Sequence, residues 1–383
     1  MVSRILKKPL SYKKSFFLLG PRGTGKTYWI KENLSDALYL DLLDSDVYTQ
    51  LLAHPRGLEN LIPKNYKNWI VLDEVQRIPE LLNEVHRLIE KEHHAFVLTG
   101  SSARSLRKQG VNLLAGRALM YHMYPLVVQE IGKSFDLTRI LNHGLLPALL
   151  SEPDPKAYLK AYVITYLREE VMQEGLTRNL ATFTRFLEVA SFSQGQILNM
   201  SAIARETNTS QKNVSNYFDI LDDLLLGFRL PIFSKRAKRQ VVQHPKFYYF
   251  DVGVYQTLRP KGFSDTQAEI EGAALETLFF QSLRAINDYY DLEYQLYYWR
   301  TTTGIEVDFV IHGPQGLLAF EIKRSKNISS YDIKGLLSFQ KDYPEAKLFL
   351  IYGGDRRYYF DTVQVIPLRD ALWDLPGILS GEI

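Results

Sequence analysis

Short apolar runs separated by longer stretches with helical spacing occupy the first third of the chain. The runs are Phe16-Phe17-Leu18-Leu19, Leu38-Tyr39-Leu40-Asp41-Leu42, Trp69-Ile70-Val71-Leu72, Ala95-Phe96-Val97-Leu98 and Leu119–Leu126. Strands alternating with helices predict a mostly parallel sheet covered on both faces. After the first run, Tyr28–Leu34 is suited to open a helix. Between the Trp69 and Ala95 runs, Pro79–Glu92 places Leu81, Leu82, Val85, Leu88 and Ile89 on one helical face, with Pro79 in the first turn.

The pattern turns mainly helical from about 150 to 230. Tyr158–Met172 carries Leu159, Tyr162, Val163, Tyr166 and Leu167 at helical spacing, as a lid over a nucleotide core would. Ser201–Glu206 reads as a short helix and Thr207-Asn208-Thr209 as a turn. Ser210 is placed to cap a second helix, Gln211–Leu225, with Val214, Tyr217 or Phe218, Leu221 and Leu225 inward. Gly227 is expected to end that helix. Leu230–Phe233 and Phe247–Phe250 would then pair as a hairpin wing. Beyond about 265 a helix, Ile270–Ile286, precedes strand-like runs at Leu296–Trp299, Ile305–Ile311, Leu317–Ile322 and Lys347–Tyr352.

Composition narrows the class. A chain of 383 residues is long enough for about two or three domains with cores of their own. The net charge of +3 confines any nucleic-acid surface to a local patch. There are no cysteines, which excludes disulfides, thiolate zinc sites and cysteine nucleophiles and suits the cytoplasm. Met1–Leu10 has basic residues but neither the apolar core nor the cleavage site of a secretory leader. No run reaches the ~18 apolar residues of a membrane span, so no membrane partner is expected.

The sharpest chemistry follows the first apolar run. Gly20-Pro21-Arg22-Gly23-Thr24-Gly25-Lys26-Thr27 is a complete G-x-x-x-x-G-K-[ST] phosphate loop. Its glycines allow a tight turn whose N–H groups face phosphate oxygens, at the start of a helix that favours an anion. Lys26 would reach the β- and γ-phosphates of ATP, and Thr27 would place its hydroxyl on Mg²⁺. The Trp69 run ends in Asp73-Glu74: Asp73 would complete the metal site through water, and Glu74 would activate the attacking water. Ser101, with Thr99 next, is the choice for a γ-phosphate sensor. Arg117 is the choice among Arg104, Arg107 and Arg117 for a cation that meets the γ-phosphate, in cis or from a neighbouring subunit.

Two further patches bear on nucleic acid. Lys212 and Asn213 open the second helix of the 199–226 unit, where side chains can read bases or hold phosphates. Lys235, Arg236, Lys238 and Arg239 form a basic tip between the two wing strands. Near the C-terminus, Asp308 followed by Glu321-Ile322-Lys323 on the next strand is the arrangement of a metal-dependent phosphodiesterase. Asp308 and Glu321 would bind Mg²⁺ or Mn²⁺, Lys323 would hold the attacking water, and Glu276 would add a ligand from the helix. The competing reading is a solvated edge with Lys323-Arg324 paired to Glu306.

Together these residues resemble a prokaryotic family that joins an AAA+ ATPase domain, of the archaeal-type P-loop clade, to a C-terminal domain of unknown function with a restriction-endonuclease-like core. The resemblance rests on Gly20–Thr27, Ile70–Gln76, Leu98–Ser102 and Leu113–Arg117, on the 199–226 unit and on Phe250-Asp251-Val252-Gly253. It continues through Gly272 with Glu276, Tyr298-Trp299-Arg300, Glu306-Val307-Asp308-Phe309 and Phe320-Glu321-Ile322-Lys323. It implies an α/β chain: an AAA+ nucleotide-binding domain over 1–150, a helical lid and winged helix-turn-helix over 151–262, and a restriction-endonuclease-like domain over 263–383. It also implies Mg²⁺-dependent ATP hydrolysis, homo-oligomerisation and a DNA-related role.

Overall fold

The computed structural model describes residues 2–6, 14–101, 114, 116–166, 171, 179–234, 244–260 and 267–382. The first apolar runs become β1 (Ser15–Leu19), β2 (Leu38–Asp41), β3 (Ile70–Asp73), β4 (Phe96–Gly100) and β5 (Ala118–His122), in the spatial order β2-β3-β4-β1-β5. Every neighbouring pair is parallel. β1, β3 and β4 are buried at every position, which is why they lack polar alternation: a central parallel strand has no wet face. One face packs Phe17, Leu19, Leu72 and Leu98 against Leu81, Leu82, Val85 and Leu88 of the Leu81–Glu92 helix.

The fifth strand is shorter than the run Leu119–Leu126 suggested. It stops at His122, and the Met123 N–H then donates to the Leu19 carbonyl at 2.7 Å. A Cβ on Gly20 would stand 2.3 Å from the Met123 carbonyl oxygen, so the first loop glycine is fixed by this close approach.

The chain folds into two compact units, Leu6–Tyr124 with Asp223–Leu226, and Met1–Ile5 with Pro125–Asp222 and Gly227–Ile383. In the second, the helix expected over 158–172 is not regular. An α-helix, Pro155–Ala161, gives way to a wider π-helical turn over Tyr162–Tyr166, where the Tyr162 and Tyr166 rings lie 4.8 Å apart. Residues 167–170 and 172 lie outside the described residues.

Helices Met200–Glu206 and Gln211–Asp223 follow, and Ser210 caps the second through the Asn213 N–H at 3.2 Å. Val214, Tyr217, Phe218 and Leu221 are all buried, the two aromatic residues against Phe183 and Phe186 of the Leu180–Ser191 helix. The hairpin differs in register from the expected one. β6 (Gly227–Leu230) pairs with β7 (Lys246–Tyr249), with Gly227 opposite Tyr249 and Leu230 opposite Lys246. Gly227 thus opens a strand instead of ending a helix, and the left-handed turn falls on Leu225 at φ 58°. A side chain at Gly227 would meet the Phe247 ring at 2.6 Å, so packing, not the turn, calls for glycine there. Pro231–Phe233 leaves the hairpin: the Phe233 N–H donates to Tyr298 O at 2.6 Å, and the Tyr298 N–H to Pro231 O at 2.9 Å.

The C-terminal sheet is mixed. β8 (Gln295–Arg300), β9 (Glu306–Gly313), β10 (Gly316–Lys323), β11 (Lys347–Tyr352), β12 (Tyr358–Phe360) and β13 (Val363–Pro367) stand in the order β12-β13-β11-β10-β9-β8. β8, β9 and β10 are antiparallel neighbours, whereas β10, β11 and β13 run parallel. Helices Lys334–Asp342 and Leu368–Ser380, absent from the sequence reading, flank the parallel strands. The Gln267–Tyr289 helix meets the sheet through Phe279 and Phe280, which pack on Phe320 and Phe309.

Asp251 is fully buried. Its carboxylate accepts the N–H groups of Gly253 and Val254, which caps the Val252–Leu258 helix, and that of Leu145 at 2.8 Å. Burial pushes its carboxyl up to about 6. A Cβ on Gly253 would lie 2.0 Å from His143 O, whereas one on Gly272 meets nothing within 4 Å. Gly253→Ala is therefore expected to destabilise the chain by about 2 kcal/mol or more, through forced backbone displacement. Gly272→Ala, inside a helix, is expected to be neutral or stabilising by up to about 1 kcal/mol. Denaturant midpoints at unchanged m-value compare the two directly.

Candidate functional site

The phosphate loop leaves the carboxyl end of β1. Gly23 (φ 80°) and Gly25 (φ 94°) take left-handed conformations that side-chain-bearing residues rarely adopt. No side chain caps the Lys26–Asn33 helix at Gly25, which leaves the helix start to an anion. The loop is closed from within. The buried Thr24 hydroxyl donates to Pro21 O at 2.7 Å, and the Lys26 ammonium donates to Gly20 O at 2.6 Å and to Pro21 O at 3.3 Å. Arg22 and Thr27 are exposed.

The end of β3 lies beside this loop. Asp73, 5% exposed, gathers hydroxyls from three elements: Thr27 at 3.4 Å, Tyr39 of β2 and Thr99 of β4. Burial, reinforced by the bond to Asp73, holds the Tyr39 phenol well above its usual range. The adjacent Thr27 hydroxyl and Asp73 carboxylate are hard oxygen donors of the kind that hold Mg²⁺ with water completing the shell, so the residues present fit that ion.

Glu74 adopts φ 60°, a conformation uncommon for a non-glycine residue. Its N–H is held by the Thr99 hydroxyl at 3.2 Å, and its Oε2 accepts from the Gln76 amide at 2.5 Å. The same amide lies 3.4 Å from the hydroxyl of Ser101, which is 2% exposed just after β4. The structure therefore brings Lys26, Thr27, Asp73, Glu74 and Ser101 to one end of the sheet. Tyr39 and Gln76 were missed. Tyr39 is masked inside an apolar run, although its polar hydroxyl was the available signal. Gln76 follows the Asp-Glu pair closely, so its proximity to Glu74 was the available signal.

Arg117 is placed elsewhere. Parallel pairing sets Ala118 opposite Ser15 and His122 opposite Leu19, so Arg117 precedes β5 at the amino end of the sheet. The phosphate loop lies past the other end, about 16 Å away along the strand. Arg117 forms an ion pair with Glu90 there. Its cis placement on this chain's γ-phosphate is thereby corrected, and only the role toward a neighbouring subunit stays compatible with the register. Arg104 and Arg107 lie outside the described residues.

The C-terminal acidic residues do converge. Asp308 is 8% exposed, and its Oδ2 accepts the Ile322 N–H at 2.9 Å. Glu321 and Lys323 share one face of β10 and pair at 2.6 Å, while Glu321 Oε2 is buried without a partner. Glu276 accepts from the Tyr248 hydroxyl at 3.2 Å. Burial, and then the Asp308 charge, raise both Glu276 and Glu321 well above the usual carboxylate range.

An unforeseen residue lies among them. Lys246, 2% exposed, reaches Glu306 at 2.5 Å and Asp308 at 3.5 Å. Burial opposes its charge, yet Asp308, Glu276 and Glu306 together hold it protonated above the ordinary lysine range. In sequence it opens an apolar run and reads as a strand end. Period-two alternation, which puts Lys246 and Tyr248 on one face of β7, was the available signal. The alternative pairing of Lys323-Arg324 with Glu306 is not observed: Glu306 takes Lys246 and Arg300, and Arg324 takes Glu271. Among the described residues no group of three or more His, Asp or Glu is assembled as a metal-binding set. Asp308 and Glu321 are instead each matched to a lysine.

Lys212 and Asn213 are exposed at the start of the Gln211–Asp223 helix, with the Asn213 amide donating to Thr209 at 2.9 Å. Lys235, Arg236, Lys238 and Arg239 lie outside the described residues. Among those described, no helix is long and apolar enough to cross a membrane.

Comparison with known proteins bears on both ends of the chain. Residues 12–132 match the family model of an AAA domain, residues 134–266 a domain of unknown function (DUF8612), and residues 271–371 another (DUF4143). The chain therefore carries an AAA-type, ATPase-like P-loop domain followed by a DUF4143 domain. It is similar to an uncharacterized protein of Mycobacterium tuberculosis, 28% identical over 384 residues, which covers 96% of this chain and 83% of the relative. An uncharacterized protein of Methanocaldococcus jannaschii is 27% identical, covering 82% of this chain and 75% of its own. Among solved structures, the Aeropyrum pernix ORC1 protein in complex with DNA aligns at a TM-score of 0.25 and 15% identity, over 66% of this chain and 87% of that one.

Proposed function

We propose that the protein is a Mg²⁺-dependent ATPase whose nucleotide state governs its engagement of DNA. The observation that carries this reading is the convergence of Lys26, Thr27, Asp73 and Glu74 at the carboxyl end of the parallel sheet. Lys26 would exchange loop carbonyls for phosphate oxygens, and Thr27 and Asp73 would hold the metal. A bound Mg²⁺ would supply positive charge beside the phosphates. Glu74 orients the attacking water and takes its proton, held in place by Thr99 and Gln76, with Ser101 beside the γ-phosphate.

The DNA part of the reading rests on the paired helices and hairpin over 199–250, read as a winged helix-turn-helix, with Lys212 and Asn213 exposed on its second helix. We read three parts in the chain, 1–150, 151–262 and 263–383, working as a cytoplasmic homo-oligomer in which Arg117 faces a neighbour's nucleotide. The deciding experiment is ATP hydrolysis with Mg²⁺, with and without duplex or single-stranded DNA. DNA is expected to change turnover severalfold, and Lys212→Glu is expected to blunt that change. Turnover indifferent to both DNA forms would leave the alternative, a nucleotide-dependent switch or scaffold that docks proteins or regulates transcription without nuclease activity.

A second activity, metal-dependent phosphodiester cleavage in a restriction-endonuclease-like domain, is favoured by one observation: the unpartnered, buried Glu321 Oε2 beside Lys323 and close to Asp308. Asp308 and Glu321 would hold the cation, joined by Glu276, and Lys323 would hold the attacking water. A Mn²⁺-dependent nicking assay with Asp308→Ala as control tests it. Equal nicking by parent and variant, or none by either, removes the activity.

A further inference from the structure

The carboxyl ends of the parallel strands β10, β11 and β13 open into a cavity of about 480 Å³. None of the acidic-cluster or phosphate-loop residues lines it. Its volume falls within the roughly 300–1,000 Å³ of small-molecule sites. The ends of parallel strands are also where α/β sheets open crevices for ligands.

The lining is divided by chemistry. Ala274 and Leu275, both buried, form an apolar wall on the Gln267–Tyr289 helix, and Tyr352, at the end of β11, also lines the cavity. The rim is cationic. Arg324 and Lys326 follow β10, Arg369 opens the helix after β13, and all three are exposed. One carboxylate, Glu271, is also among the lining residues, and it is paired with Arg324 at 2.6 Å. Gly353 brings bare backbone to the wall, because a Cβ there would meet Arg324 O at 2.2 Å. The amide oxygen of Gln256, another lining residue, is buried with no hydrogen-bond partner. A buried acceptor without a donor is costly unless a ligand supplies one.

We propose that this cavity binds a nucleoside monophosphate, either free or as the terminal residue of a nucleic-acid strand. The phosphate meets Lys326, Arg369 and Arg324 at the rim through charge-assisted bonds. The flat base lies on the apolar wall of Ala274 and Leu275. Gln256 Oε1 accepts from a sugar hydroxyl or an exocyclic amino group. These are three separate requirements, an anion, a flat apolar body and a donor, and a nucleotide meets them together.

The test is isothermal titration of the full chain with AMP, with a short 5′-phosphorylated single strand and with the same strand lacking its phosphate. AMP binding assigns the site to free nucleotides. Binding of the phosphorylated strand alone assigns it to strand ends. In either case Arg369→Glu and Lys326→Glu, on exposed side chains, are expected to weaken binding by roughly tenfold or more each, with unchanged melting temperature. Gln256→Leu is expected to weaken nucleotide binding while leaving any binding of inorganic phosphate intact. The proposal is overturned if neither phosphorylated probe binds, if the unphosphorylated strand binds equally, or if both rim reversals leave affinity unchanged. ATP turnover measured on the same variants separates this outcome from failure of the ATPase reading, since the cavity shares no residue with the phosphate loop.

Discussion

Glu74→Gln is expected to bind ATP as the parent does and to hydrolyse it at least ~100-fold more slowly, the usual range for a lost general base. The substitution keeps the shape of the side chain and removes only its charge. The backbone that aims it is fixed independently, by the left-handed conformation at residue 74 and by the bond from its N–H to Thr99. The loop proposed to bind phosphate is closed without the Glu74 carboxylate among the described bonds: Lys26 and Thr24 close it on Gly20 and Pro21. Binding and turnover should therefore separate in this variant. They should not separate in Lys26→Ala, which removes both the phosphate contact and an internal tie of the loop, so that binding and hydrolysis are lost together. Titration calorimetry with ATP and a phosphate-release assay on both variants make the comparison. Parental turnover by Glu74→Gln would take the role of base away from Glu74.

The parts of this site legible in sequence were those fixed by local chemistry. The loop glycines, Lys26 and Thr27 announce themselves because backbone conformation and phosphate contact permit few alternatives at those positions. Asp73-Glu74 was legible because it ends an apolar run at the right distance from the loop. Tyr39 was not, because its contact with Asp73 depends on β2 lying beside β3, a matter of strand order. Arg117 shows the reverse error. Its place before a strand was read correctly, but only the parallel register shows that the start of β5 and the end of β1 lie at opposite ends of the sheet. The hairpin slipped for a packing reason: Gly227 looks like a helix stop, yet it yields space to Phe247, and Ile232 bridges to Tyr298 on β8 instead of pairing within the wing. Local signals specify turns and loops well, while long-range pairing decides which of two plausible registers is kept.

Lys246→Met should lower the melting temperature of the C-terminal unit by roughly 10 °C, and Mn²⁺ should restore more of that loss than it adds to the parent. The ammonium is buried between Glu306 and Asp308, with the Tyr298 ring 5.6 Å beneath it. Removing one partner of a buried ion pair leaves charge without compensation, at a cost of about 3–5 kcal/mol. Methionine keeps the length of the side chain, so the loss reports charge more than volume. Asp308 would then face Glu276 and Glu321 with Lys323 as the nearest remaining cation, as their mutual influence indicates. A divalent cation is the natural replacement for such a deficit, because hard carboxylate oxygens bind it directly. Thermal melts of parent and variant, in EDTA and in millimolar Mn²⁺, measure both effects. If metal stabilises the two equally, Lys246 does not occupy a cation position, and the cluster is a lysine-balanced core instead. If metal rescues only the variant, the β7 strand carries a built-in cation that metal must displace, and any cleavage by Asp308 and Glu321 must begin with the departure of Lys246 from between the carboxylates.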